Sequence, residues 1–261
     1  MITSLLNAYL KTPRHRGKAR LARLLLCTFR PRAVRSYYGP FLRCRPDDKT
    51  FIYAVSGDYG DVVRNHIDSI GGNDVFIDIG ANYGLFSLYA AQQKPHASIV
   101  AFEPNPAIYG CLLENILLNN VANIIPFHLA VGPEDVLVNL GYTPDHSGRS
   151  AVGGKAAQHF IVSQFDISKW AVLNDLCKNR DVHIKIDVEG YEPQIIKCLL
   201  KAPWFSRIKT IIMEVDGAYL IQHESSAPAL YEMMEKAGLK ADHAPASDQH
   251  IDEIFRRRDT V

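Results

Sequence analysis

The sequence predicts an α/β fold: a doubly wound, mostly parallel sheet preceded by a basic, helical N-terminal extension. Three observations lead there. From about residue 75 onward, short apolar runs rich in β-branched residues alternate with segments of helical spacing. Those runs are apolar at nearly every position rather than every second one, as in strands covered by helices on both faces. A glycine-bearing turn follows the first of them, in "VFIDIGANYGLFSLYAA" at 75–91, where an open α/β sheet keeps its ligand crevice.

The chain of 261 residues, 47% hydrophobic, is long enough to bury one good-sized core. It divides into an extension over 1–48 and a single α/β domain over 49–261. No run of about 18 apolar residues occurs, so no helix is expected to span a membrane. Cys27, Cys44, Cys111, Cys177 and Cys198 are odd in number, scattered and without a C-x-x-C pair, which predicts reduced thiols of a cytoplasmic protein and no zinc site.

A net charge of +1 conceals an asymmetry: residues 1–45 hold eleven Lys or Arg and no acid, so the remainder is net acidic. Leu21, Leu24, Leu25 and Leu26 are interleaved with that charge. A packed or solvated helical lead-in is the simplest reading, with peripheral contact to anionic lipid or a phosphorylated substrate as the alternative. Arg20 and Arg23 interrupt the apolar stretch, which argues against a signal peptide. Positive charge is confined to this arm, so nucleic acid is not an expected partner.

In chain order, 49–70 reads as a short strand, a glycine turn at Gly57–Gly60 and a helix through Val62, Val63, Ile67 and Ile70. The first sheet strand and its helix follow at 75–91. "SIVAFE" (98–103) is the second strand, and 104–120 is a helix with Pro near its start. The third strand is placed at 123–131 despite Pro126, the fourth at 182–188, a helix at 191–201 and the fifth strand at 208–215. Between the third and fourth strands, 136–142 and 160–166 read as extra strands. The polar stretch 143–159 between them has no core pattern and reads as a mobile loop over the crevice.

The turn separates two cofactor classes. The dinucleotide fingerprint G-x-G-x-x-G needs a second glycine so that backbone can approach a pyrophosphate, and Asn82 occupies that place. The pattern D-x-G-A-N-x-G, with an acid two residues before the first glycine, suits S-adenosylmethionine instead. Glu103, 25 residues after Asp78 at the end of the second strand, is placed to accept hydrogen bonds from both ribose hydroxyls. Capping of the following helix is its competing role.

"FIDIGANYGLFSLYAA", "AFEPNP" and "IKIDVEGYEPQIIK" together resemble the FkbM family of S-adenosylmethionine-dependent methyltransferases, over about Thr50 to Asp216. The resemblance implies a Rossmann-like class I methyltransferase fold and O-methylation of a hydroxyl on a sugar, glycan or other natural-product acceptor. Carried over by position, it implies that Asp78, Gly80, Asn82 and Gly84 form the loop at the methionine end. Glu103 would hold the ribose, and Ala130 and Val131 would lie beside the adenine.

"KIDVEGYE" places Asp187, Glu189 and Glu192 at the carboxyl end of the fourth strand and into the next turn. Methyl transfer to an alcohol needs an in-line oxygen and a base for its proton, and these three acids are the catalytic candidates. Helix-start electrostatics is the competing reading for Glu189 and Glu192. Glu214 and Asp216 extend an acidic rim; with Asp187 they have the donor chemistry for Mg²⁺, but no spacing demands it and no metal is expected. His128, His146, His159, His183 and His223 are further candidate bases; His128 and His183, beside apolar strands, read mainly as packed side chains, and His146 in the loop is the expected substrate neighbour. Tyr59 is a candidate neighbour of the methionine end, and "YYGPF" (37–41) reads as aromatic packing. Two rival classes stand beside the enzyme: a catalytically silent, cofactor-binding module docking through its basic arm, and a nucleotide-dependent oxidoreductase, which Asn82 disfavours.

Overall fold

Val75–Ile79 is buried on both faces at every residue, and around it the sheet is built. The computed structural model describes residues 2–154, 156, 158–243 and 251–258. The extension holds α1 (Ile2–Leu10), α2 (Lys18–Phe29) and the hairpin β1 (Ala33–Arg35) and β2 (Phe41–Arg43). Then come α3 (Lys49–Ser56), α4 (Asp61–Ser69), β3 (Val75–Ile79), α5 (Leu85–Gln93), β4 (Ser98–Phe102), α6 (Pro106–Asn119), β5 (Ile124–Phe127) and β6 (Ala130–Val131). The excursion carries β7 (Val136–Tyr142), β8 (Ala151–Val152) and β9 (Gln158–Phe165). The second half runs α7 (Ala171–Cys177), β10 (Val182–Ile186), α8 (Glu192–Leu199), β11 (Ile208–Val215), α9 (Gly217–Gln222), α10 (Ala227–Lys236), β12 (Leu239–Ala241) and β13 (Ile251–Arg257).

The main sheet has the order β12-β13-β11-β10-β3-β4-β5. Its strands are parallel except β13, which runs antiparallel to both β11 and β12. The chain leaves β3 toward β4 and β5 on one side, then returns through β10 and β11 on the other. The switch point thus falls between β3 and β10, where ligands of doubly wound sheets bind. Register aligns Asp78 with Lys185 and Ile79 with Ile186, so the carboxyl ends of these two strands finish together. Alternate residues of β3 feed two cores: Phe76 joins the face covered by the extension, and Val75, Ile77 and Ile79 join the face covered by the second-half helices.

The extension is part of the first core. Leu6, Leu10, Ala22, Leu26, Val34 and Leu42 cluster with Phe51, Val55 and Phe86. Lys18 is 1% exposed because its ammonium donates to the carbonyls of Leu10 (2.8 Å) and Thr12 (2.7 Å), closing the carboxyl end of α1. Among the described residues no helix is long and apolar enough to cross a membrane.

Four expectations need correction. Residues 49–56 form a helix, not a strand: Asp48 caps α3 by accepting from Thr50 N (2.8 Å), and Phe51, Ile52, Ala54 and Val55 are buried. The β-branched and aromatic composition misled because propensity yields to packing and a good N-cap. The third strand is two pieces, β5 and then β6, and β6 leaves to pair with β9 in a four-stranded sheet ordered β6-β9-β7-β8. Pro126 is tolerated because β5 is an edge strand. The stretch 143–159 is tied down: Ser147 N donates to Asp48 Oδ1 (3.2 Å), Gly148 N donates to Thr50 Oγ1 (2.8 Å), and β8 pairs with β7; residues 155 and 157 lie outside the described residues. The tail after 217, which carried no motif, supplies two helices and the antiparallel edge of the sheet.

Candidate active site

The glycine turn is shaped by close approach. Gly80 has φ +80°, and a Cβ there would lie 2.0 Å from the carbonyl oxygen of Asp187. Gly84, also at φ +80°, would drive a Cβ to 2.3 Å from Leu112. Asn82 takes the left-handed conformation at φ 50°, which its short amide tolerates. Glu103 clamps the turn: one carboxylate oxygen accepts from Asn82 N (2.8 Å) and the other from Asn105 N (2.8 Å). Asn105, not Glu103, caps α6, accepting from Ala107 N at 3.0 Å. Each Glu103 oxygen keeps lone pairs for a diol. Burial pushes its carboxyl up to about 7, against the pull of the two backbone donors.

Above this turn opens a cavity of about 530 Å³. Its lining includes Gly80, Asn82 and Glu103 of the turn and its clamp, the apolar Pro104, Leu129, Ala130 and Val131, and the acids Asp187, Glu189 and Glu214. Two predicted residues stand behind the lining instead. Asp78 is 0% exposed; it accepts from Ser87 Oγ at 2.6 Å and ion-pairs with Lys185 at 3.2 Å. Gly84 begins α5 as its N-cap. Both shape the turn from beneath.

Asp187, 34% exposed at its side chain, pairs with Lys185 at 3.3 Å. Glu189, in the left-handed region at φ 56°, lines the cavity. Burial first, then the neighbouring Asp187 and Glu192, push its carboxyl up to about 8. Glu214 is raised further by burial and by Asp187 and Glu189. Carboxylate oxygens of Asp187, Glu189 and Glu214 all lie within 4.8 Å of one another, close enough to share protons or to surround a cation. Glu192 does not line the cavity. It is 1% exposed, and Oε1 accepts from Gly190 N (3.2 Å) and Val188 N (3.4 Å), stapling the turn that begins α8.

Sequence reasoning missed Lys185. It is 5% exposed, bridges Asp78 and Asp187, and donates to Gly80 O at 3.2 Å. The signal was available: a lysine between Ile184 and Ile186 in a strand whose other polar residue is His183. His146 and Tyr59 line the cavity, the latter against Phe86. Tyr38 packs on Phe86 and Tyr89. His128 stacks on Tyr109, His159 faces Asn139, His223 packs on Tyr191, and His183 lies at the opposite end of the sheet.

Residues 78–259 match the family model described as the methyltransferase FkbM domain. The chain belongs to the FkbM methyltransferases. The match reaches through the tail beyond Asp216, where single-sequence reading found nothing. Relatives include "Methyltransferase 1" of Beauveria bassiana, 28% identical over 163 residues, 55% of this chain and 65% of the relative. Another is the "31-O-demethyl-FK506 methyltransferase FkbM" of Streptomyces tacrolimicus, 29% identical over 177 residues, 56% of this chain and 67% of the relative. The matched parts span about two thirds or less of these relatives. Among solved structures, M. jannaschii TYW2 in complex with AdoMet aligns with a TM-score of 0.41 and 18% identity, over 87% of this chain and 86% of that one. The cofactor of this FkbM domain is S-adenosylmethionine. The residues present fit such a group: a backbone cradle that a Cβ at Gly80 would fill, a buried carboxylate in Glu103, an apolar strip at Leu129–Val131 and several acids.

Proposed function

We propose that this chain methylates a hydroxyl oxygen on a sugar, glycan or other small natural-product acceptor. The carrying observation is the trio Asp187, Glu189 and Glu214, whose carboxylates crowd within 4.8 Å of one another in the lining of this cavity. The bound cofactor supplies a methyl group on a sulfonium. Gly80, Asn82 and Glu103 would hold it through backbone and carboxylate contacts, and the apolar residues Leu129, Ala130 and Val131 would keep water out. Glu189, its carboxyl raised to about 8 by burial and by Asp187, would take the hydroxyl proton, the methyl passing from sulfur to that oxygen and leaving a neutral thioether. Asp187, fixed by Lys185, positions the acceptor. The relative named for 31-O-demethyl-FK506 supports oxygen as the acceptor atom. Five unpaired cysteines, three of them buried, accord with a reducing cytoplasm.

The test is transfer of labelled methyl from S-adenosylmethionine to a panel of sugars, glycans and polyketides, with the position of label read by mass spectrometry. Label on oxygen, lost in Glu189→Gln, is the expected result. Cofactor binding without transfer to any acceptor would instead favour the silent docking module.

A further inference from the structure

A second cavity, about 470 Å³, lies between the extension and the start of α6. Four guanidinium-bearing residues line it: Arg30 and Arg32 after α2, Arg43 on β2, and Arg45 just beyond. Two acids also line it, which leaves the four guanidiniums in excess. Asp48 is spent, with Oδ1 accepting from Thr50 N (2.8 Å) and Ser147 N (3.2 Å) and Oδ2 from Tyr83 Oη (2.6 Å). Asp47 stands 3.6 Å from Arg30 with its side chain 74% exposed. Arg43 reaches Glu114 only at 3.5 Å. Both separations exceed the roughly 2.7–2.9 Å of a charge-assisted hydrogen bond, and Arg32 has no ion pair among the described residues.

Arg30, Arg32 and Arg45 are exposed and Arg43 is half-buried, so all four stand open to a ligand arriving from solvent beside one cavity. Ala107 and Ile108 also line it, so the positive end of the 14-residue helix α6 adds to the field. Guanidinium forks from separate chain segments suit a tetrahedral anion with several oxygens, which they bind through paired N–H groups. We propose that this cavity binds the phosphate group of an anionic ligand. The acid-free run of residues 1–45 then has a specific role beyond packing. Tyr83 lines both cavities, so the phosphate lies behind the cofactor turn, across the Tyr83–Asp48 contact.

Isothermal titration of the full chain with pyrophosphate, against chloride at matched ionic strength, tests this. The double variant Arg32→Gln/Arg45→Gln should weaken pyrophosphate binding by roughly tenfold or more while S-adenosylhomocysteine affinity stays within about twofold. Arg16→Gln, an exposed arginine outside the cavity, should match the parent. If the double variant loses the homocysteine compound as well, Arg32→Gln alone is measured under the same criterion. A parallel arm separates the sources: retention of the parent, but not the double variant, on phosphatidylcholine vesicles containing phosphatidic acid identifies a lipid headgroup. Competition by a sugar phosphate without vesicle retention identifies a soluble phosphomonoester. Equal pyrophosphate binding by parent and double variant, or none beyond the chloride control, overturns the proposal.

Discussion

The two ends of the same strands bury polar groups in opposite ways. At the amino end of β10 and β11, Thr210 Oγ1 sits 2.7 Å from His66 Nε2 and 2.7 Å from His183 Nδ1, and His183 Nε2 reaches Asp74 at 3.2 Å. Every member has a partner. At the carboxyl end, Asp187, Glu189 and Glu214 crowd together around a cavity with Lys185 as the buried cation beside them. The closed cluster is structural; the crowded one stores electrostatic cost beside a ligand cavity, which is how functional sites are marked.

The contrast can be broken from either end. The largest expected effect is on catalysis: Glu189→Gln should lower turnover by roughly 10²- to 10⁴-fold with little change in S-adenosylhomocysteine affinity, and comparable losses in both would move Glu189 to the cofactor. Next is the amino end. Burial and the neighbouring His183 hold His66 down, from 6.5 to about 4, so the unfolded chain binds the extra proton in that window. Stability is full above about pH 6.5 and falls toward pH 4 by on the order of 3 kcal/mol, and His66→Gln should flatten that limb in denaturant titrations.

Glu103→Ala should cost about 1 to 3 kcal/mol of cofactor binding; unchanged affinity by calorimetry would remove it from the ribose. The smallest effect sharpens the comparison most. Glu189 is raised from 4.5 to about 8, so the folded state holds its proton longer than the unfolded chain does. This destabilises the protein progressively as pH rises across that window. Glu189→Gln should therefore be more stable than the parent at pH 8, by about 1 to 2 kcal/mol; a less stable variant would mean that the carboxyl is a structural partner.

The carboxyl end was the more legible in sequence. A turn that tolerates only small or left-handed residues leaves its glycines and Asn82 in the string, and a nucleotide-binding acid must follow at strand two, so Gly80, Asn82 and Glu103 could be placed. Asp187 and Glu189 line the cavity, a placement legible from acids that interrupt an apolar strand end. Asp78 and Glu192 were assigned to the cavity although both turn inward, since sequence position does not reveal which way a carboxylate is spent. The Asp48–Ser147 and Thr50–Gly148 contacts that fix the loop join residues about a hundred apart and leave no local pattern. Helix α3 was hidden by strand-like composition, and the antiparallel edge by a tail lacking any chemical motif.

The measurement that bears most directly on the account is the pH dependence of methyl transfer, at saturating acceptor, in the parent and in Glu189→Gln. The account predicts a parent rate that climbs as Glu189 loses its proton near pH 8, and a variant that is slow and flat across the same range. A variant that keeps both the parent's rate and its profile would contradict the assignment of the crowded acids to proton transfer.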